Sequence, residues 1–399
     1  MLSAAALWSA LAGMALFAAS CGDDGGKGGE NTPRGGDCGD DAYEVGEANH
    51  LSVQYIDIAT DTYSSADGLA YSSAIYRFRV PNDAQGVHFT LEDPSGTPIW
   101  LDARVNGELI GTAYETRARA ISKISVAFPE VVSFSLPNNE RTVAAGACVE
   151  VKVGSLVDAS ETELRLSVTT NRMQNRTRLV PVNLAVPEGE SSALEALQGV
   201  LGMVSDELRS VADIALRADI HSYELEGVDT ALDVESSEYA TAMGAFYEED
   251  LRLNILFVER LDFGGVQDGY NLLGIAGGVP ATPFSGTSGS SLIIALEPHL
   301  NASGTALIRE LLVSTVAHEI GHMLGLFHTT ESDGLAFDPI ADTPECPYDT
   351  YDQDDDDMVT YAECIGRGAD NLMFWEGSVD APKLSATQRR VLQNAVLVQ

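Results

Sequence analysis

His318-Glu319-Ile320-Gly321-His322-Met323-Leu324-Gly325-Leu326-Phe327-His328 is the stretch around which the chain is organised. His318 and His322 are four residues apart. On a helix that spacing stacks two side chains on one face, about 6 Å apart along the axis. Two imidazoles so placed can converge on one zinc ion at about 2.0–2.1 Å each. Glu319 follows the first of them and can reach a water at the metal without being a ligand itself. Gly325 tolerates positive φ, so the chain can leave helical geometry there and bring His328 back as a third ligand. Three protein ligands leave a fourth position open, the arrangement of a catalytic rather than a structural zinc. The chain has seven histidines, and three of them fall in these eleven positions. Ordinary core or surface histidines are a poor account of such a cluster.

Outward from this stretch, a length of 399 residues suits two domains plus a targeting segment. The formal net charge of −37 argues against nucleic acid, whose phosphates such a surface would repel, and against electrostatic binding to anionic lipid. Most of the positive charge is arginine. The acidity reads as solubility in an extracellular setting.

Residues 1–20 read as a signal peptide: the apolar run from Ala4 to Ala19 is short for a membrane span and ends in small residues. Leu16-Phe17-Ala18-Ala19-Ser20-Cys21 resembles a bacterial lipobox, although Ala18 stands where leucine is usual and no basic residue precedes the run. That resemblance implies a lipid on Cys21, hence an exported protein at the outer membrane or cell surface, touching the membrane by its lipid anchor only. Plain secretion is the alternative. Residues 21–37 are rich in glycine and aspartate and read as a flexible tether. Four cysteines remain. In an exported chain they suggest two disulfides out of three possible pairings. Cys38–Cys148 and Cys346–Cys364 is the economical pairing, because each bridge then stays within one proposed domain.

Residues 38–172 carry short apolar or alternating runs separated by Pro, Gly and Asn turns, including Ala74–Val80, Val87–Leu91, Ile121–Phe128, Cys148–Val153 and Leu164–Val168. They predict an all-β sandwich or jelly-roll-like domain. His50 and His88 are isolated there and read as surface or core residues. Arg172, Arg176 and Arg178 mark the boundary, as a linker open to activating proteolysis or an ordinary linker or strand edge. From 173 to 399 the pattern is mixed α/β. It predicts strands over Leu179–Val186 (with Pro181 at an edge or an irregular start), Ala218–Leu225, Leu251–Val258, Tyr270–Val279 and Ser291–Leu296. It also predicts helices over 191–212, with Ser191 and Ser192 as caps, and 303–325, with Ser303 as N-cap.

With this strand–helix order, the second half resembles the metzincin (zincin-like) metalloproteases, most nearly the pappalysin/cytophagalysin branch. The resemblance rests on the histidine stretch, on Asn371-Leu372-Met373-Phe374-Trp375, on His328-Thr329, on Asp342-Thr343-Pro344 and on a terminal helix from Lys383. It implies that Met373 sits in a methionine turn under the metal. It also implies that Leu272–Val279 is the edge against which an extended peptide lies. Trp375 stands where that branch commonly has tyrosine, and an indole N–H cannot take a phenol's acid–base role. The expected activity is a zinc-dependent endopeptidase, with Glu319 as the general base and a protein or peptide as substrate. The alternative is a non-catalytic binding lipoprotein on the same fold. Asp352, Asp354, Asp356 and Glu363 fall in positions 1, 3, 5 and 12 of a calcium-loop register, although Asp357 stands where such loops need glycine. A calcium ion in another geometry, or a solvated acidic run, are the two readings of that segment.

Overall fold

The computed structural model describes residues 177–399 apart from 235, 247–250, 263–271, 288, 355, 378 and 380–382. Before these it describes 38–39, 42–44 and strands with some flanking residues between 51 and 171. The signal peptide, Cys21, the tether, His50, Arg172 and Arg176 lie outside the described residues. Among the described residues no helix is long and apolar enough to cross a membrane.

Strands up to Asn171 pair only among themselves. Five of them form one sheet in the order 51–58, 164–171, 86–92, 131–136, 125–128. Seven others form a second sheet around Cys148–Ser155. Alternation along 86–92 sends Val87, Phe89 and Leu91 to one face, and Phe89 meets Phe78 of the other sheet edge-on, with ring centroids 5.5 Å apart. Cys38 and Cys148 are bonded.

The opposite face of the five-stranded sheet is polar and yet buried. His88, Thr90, Ser133, Ser135, Ser167, Thr169 and Asn171 all lie on it. What covers it comes from the second half of the chain. Asn171 Nδ2 donates to Ala395 O at 2.8 Å and to Val398 O at 2.7 Å. Thr90 Oγ1 lies 3.5 Å from Thr282 Oγ1. Gly86 packs so closely that a Cβ there would collide with Asn394 O. His88 is held between Ser135 Oγ at 2.7 Å and Thr90 Oγ1 at 3.0 Å.

The second half is built on a five-stranded sheet: β1 (Val182–Pro187), β2 (His221–Leu225), β3 (Leu253–Val258), β4 (Gly274–Ala276) and β5 (Ser291–Ala295), in the order β2-β1-β3-β5-β4. Only β4 runs antiparallel, and it lies at the edge. Every residue of β3 is buried, as a parallel strand covered on both faces requires. Leu184, Val186, Ile255, Phe257, Leu292 and Ile294 face one side. There they pack against α1 (Leu194–Ala212), α2 (Arg309–Met323) and α3 (Ala386–Asn394). Ala185, Leu256, Val258 and Ile293 face the other side, against Tyr239, Met243 and Phe246.

Three sequence expectations need correction. The metal-bearing helix begins at Arg309, not at Ser303. Asn301 Oδ1 accepts from Ser303 Oγ and from Thr305 N, and Gly304 sits at φ +66°, so residues 301–305 form a turn that helical geometry cannot cross. Pro181 marks an irregular start, one of the two positions expected for it. It separates a short pair at Leu179–Val180 from β1, and its carbonyl accepts from Leu253 N. Ser191 and Ser192 lie in a 3-10 turn ahead of α1 instead of capping it. The terminal helix starts at Ala386, where Ser385 and Gln388 form a capping box.

Burial holds the His88 imidazole down to about 3, so it is neutral in the fold. The unfolded chain takes up that proton near pH 6.5, and stability therefore falls as pH drops below that value. Between pH 6.5 and 5 the His88 contribution amounts to about 2 kcal/mol. Urea unfolding of the parent and of His88→Gln across this range should show the variant losing less stability by about that amount. Parallel pH profiles would contradict the assignment.

Candidate metal centre

The helix α2 is buried along most of its length, with Leu312, Val316 and Ile320 in the core and Glu319 against the edge strand. It stops where Gly325 takes φ +108°. Gly325 N donates to His322 O at 2.9 Å and Leu326 N to Gly321 O at 2.9 Å, which closes the C-terminus and reverses the chain. His328 then returns to the first two histidines. Its Nε2 lies 3.2 Å from Nε2 of His318 and 3.1 Å from Nε2 of His322.

Each ring is oriented from behind. His318 Nδ1–H donates to Leu372 O at 2.7 Å, His322 Nδ1–H to Leu326 O at 2.7 Å, and His328 Nδ1–H to Glu331 Oε2 at 2.8 Å. With Nδ1 protonated, the three Nε2 atoms present lone pairs to one another. Neutral rings in this arrangement repel, and a cation between them relieves the repulsion. Tetrahedral zinc ligands at about 2.0–2.1 Å stand roughly 3.3 Å apart, close to the spacing found here. The donor set therefore fits zinc. Burial, and then the neighbouring rings, disfavour protonation. They hold His318 down to about 3 and His322 well below its usual value, which keeps both available as ligands.

Glu319 is buried beside the ligands, and Ala276 N–H donates to its carboxylate. Burial pushes its pKa up to about 8 against that hydrogen bond. A dication nearby draws such a group back towards the charged form. Gly274 leaves the space that the Glu319 side chain fills, since a Cβ there would lie 3.0 Å from Glu319 Cγ. Leu273, Ile275 and Gly277 form the bonded pairs with β5. Gly274 and Ala276 consequently turn their main-chain groups outward, and among the described residues no strand pairs with β4 on that side.

Met373 is fully buried against Gly321, between the two helical ligands. Its turn is held by a chain of contacts that begins at the last helix. Gln388 pairs through its amide with Asn371, and Asn371 Oδ1 accepts from Met373 N at 2.8 Å. Thr329 N donates to Met373 O at 2.8 Å, so the turn also grips the residue after the third ligand. Asp342 accepts from Thr387 N at the start of α3. Trp375 donates its indole N–H to Val359 O at 2.6 Å and packs beside Cys346, Cys364 and Phe374, which commits its polar edge to the loop.

The calcium expectation is not supported. Asp352, Asp354 and Glu363 approach one another, but Asp356 is not part of the group and instead accepts from Met358 N. Glu363 is engaged by Gln353 N, Thr360 N and Thr360 Oγ1, so its carboxylate ties the loop to itself. Cys346 and Cys364 are bonded across the base of this loop. The sequence reading missed three groups, Glu331 and the carbonyls of Leu372 and Leu326. Glu331, three residues past the last ligand, could have been noticed; a carbonyl carries no signal in side-chain identity.

No protein-family model matches the chain, and no curated protein sequence does. Solved structures do match. Archaemetzincin from Methanopyrus kandleri aligns over 56% of this chain and 91% of its own, at 12% identity and a TM-score of 0.29. Metalloproteinase-II from Bacteroides fragilis aligns over 43% of this chain and 56% of its own, at 14% identity and a TM-score of 0.26. The chain thus matches little more than half the length of the second. Likeness this distant leaves function to be argued from the site.

A Cβ at position 321 would stand 2.5 Å from Met373 Sδ. Alanine gains about 1 kcal/mol over glycine in a helix, but overpacking a core costs about 1–3 kcal/mol. Gly321→Ala should lower the melting temperature by several degrees, while the volume-conserving Met373→Leu costs less. A melting temperature unchanged or raised in Gly321→Ala would mean that the methionine has room to move.

Proposed function

We propose that this chain is an exported zinc-dependent endopeptidase. The observation that carries the proposal is the convergence of three imidazole Nε2 atoms, each with its Nδ1–H fixed from behind, beside a buried carboxylate that takes no part in the triad. Zinc held by His318, His322 and His328 supplies Lewis acidity, which polarises a peptide carbonyl and acidifies water. Glu319 accepts the proton as water attacks the carbonyl carbon and delivers it to the nitrogen of the departing amine. Its buried position keeps competing solvent away from that proton. The outward main-chain groups of Gly274 and the carbonyl of Ala276, whose N–H already serves Glu319, offer an extended peptide the hydrogen bonds of an added strand. Gly274 lets such a backbone come close to Glu319.

The apolar run ending at Cys21 supports export and a lipid anchor at the outer membrane or cell surface. Two disulfides are in keeping with an oxidising compartment. In this reading residues 38–172 form a β module and 173–399 the peptidase.

Cleavage of casein or a quenched fluorescent peptide tests the proposal. Chelation should abolish cleavage and zinc should restore it. Glu319→Gln should keep stoichiometric zinc and lose on the order of 10²–10⁴ in kcat. Zinc binding with no turnover in the parent would leave a binding protein on this fold. Parent-like turnover in Glu319→Gln would remove the carboxylate from the mechanism.

A further inference from the structure

The three ligands are not supported alike. His318 and His322 rest on main-chain carbonyls, whereas His328 rests on the carboxylate of Glu331. Glu331 sits in a tight turn, where its N–H donates to Ala336 O at 3.0 Å and its carbonyl accepts from Gly334 N at 2.9 Å. The loop closed by Cys346–Cys364 clamps that turn at three points. Tyr348 N donates to Gly334 O at 3.1 Å, Val359 N to Ser332 O at 2.9 Å, and Cys346 N to Thr330 Oγ1 at 3.1 Å. At Gly334 the approach is main chain to main chain. The residue has φ +61°, and a Cβ there would stand 2.6 Å from Tyr348 N.

We infer that Glu331 is a positioning residue for the third metal ligand, and that the disulfide-closed loop 346–364 serves to hold Glu331 in place. The inference rests on the zinc reading above. Two of the three rings hang from the helix α2, so their relative placement follows from helical spacing. His328 lies beyond the break at Gly325, and its ring needs an anchor of its own. A carboxylate on Nδ1–H fixes the ring's rotation, leaves Nε2 as the free lone pair and strengthens it as a donor. This gives the acidic loop a function without an ion of its own. Its carboxylate at Glu363 and its disulfide keep it rigid, and its main chain carries that rigidity to the turn.

Competition with a chromophoric chelator on the full chain reads zinc affinity directly, and melting of the metal-free protein is followed in parallel. Glu331→Ala should weaken zinc binding by about 10–100-fold with little change in the metal-free melting temperature. Glu331→Gln should weaken it less, because its amide oxygen still accepts the Nδ1–H. Gly334→Ala, which alters no ligand and no carboxylate, should also weaken zinc binding, and its effect should disappear in a Glu331→Ala background. Zinc affinity within about twofold of the parent in Glu331→Ala, well below the loss such contacts carry, would overturn the inference. So would a Gly334→Ala effect that persists undiminished in that background. A parent chain that binds no zinc would instead overturn the zinc assignment, and this inference with it.

Discussion

Three imidazole lone pairs meeting at 3.1–3.2 Å form the constraint from which the rest of the second half follows. Without a cation the arrangement is unfavourable, so the fold must hold it against local preference. It does so from three different segments. The turn at Met373 supplies the carbonyl behind His318, the reversal at Gly325 supplies the one behind His322, and the loop after the last ligand supplies the carboxylate behind His328. Each of these is anchored further out. The Met373 turn hangs on Asn371, Asn371 on Gln388, and Gln388 on the capping box that starts the last helix. A helix cap some 70 residues away in sequence thereby orients His318.

The sheet answers a second demand. In the proposed function a buried general base needs a route for substrate, and burial and access conflict. The antiparallel edge strand reconciles them. β4 seals one side of Glu319 through Ala276 N–H, while its outward groups remain on the unpaired edge. Glycine at 274 is required twice over, for the Glu319 side chain and for Ile294 behind it, where a Cβ would come within 2.8 Å.

The histidine cluster was legible in the sequence because its chemistry is written in side-chain identity and in a short, fixed spacing. The cysteine pairing was legible because each bridge closes within one segment, and both bonds occur as expected. The misreadings share a cause. The helix start turns on local main-chain competition, where Asn301 and Gly304 outweigh the apolar period that follows them. The calcium register brings Asp352, Asp354 and Glu363 together but leaves Asp356 out, because spacing alone does not say where a carboxylate points. Glu363 points to amides of its own loop. Glu331 and the Leu372 carbonyl escaped notice because each acts through a ring nitrogen that only the folded geometry identifies. The buried polar face that runs through His88 and Asn171 escaped for the same reason. Alternation marked one face as apolar and carried no sign of what covers the other, which meets the C-terminal segment.

That last contact bears on the boundary between the two halves. Asn171 donates to Ala395 O and Val398 O on one side of the arginine-rich stretch. On the other side Leu179 exchanges both main-chain hydrogen bonds with Gln399, at 2.9 Å each. Both ends of the connection are therefore fastened to the same five C-terminal residues, 395–399. A break in the chain between 171 and 179 would leave each end still bound there, and separation would strip buried partners from Asn171 and expose the carbonyls it serves. Leaving such groups unpaired costs about 1–3 kcal/mol apiece, over and above the close fit of Gly86 against Asn394. Physical retention of the five-stranded sheet after a cut is what this geometry favours, since its polar face also meets Thr282 through Thr90.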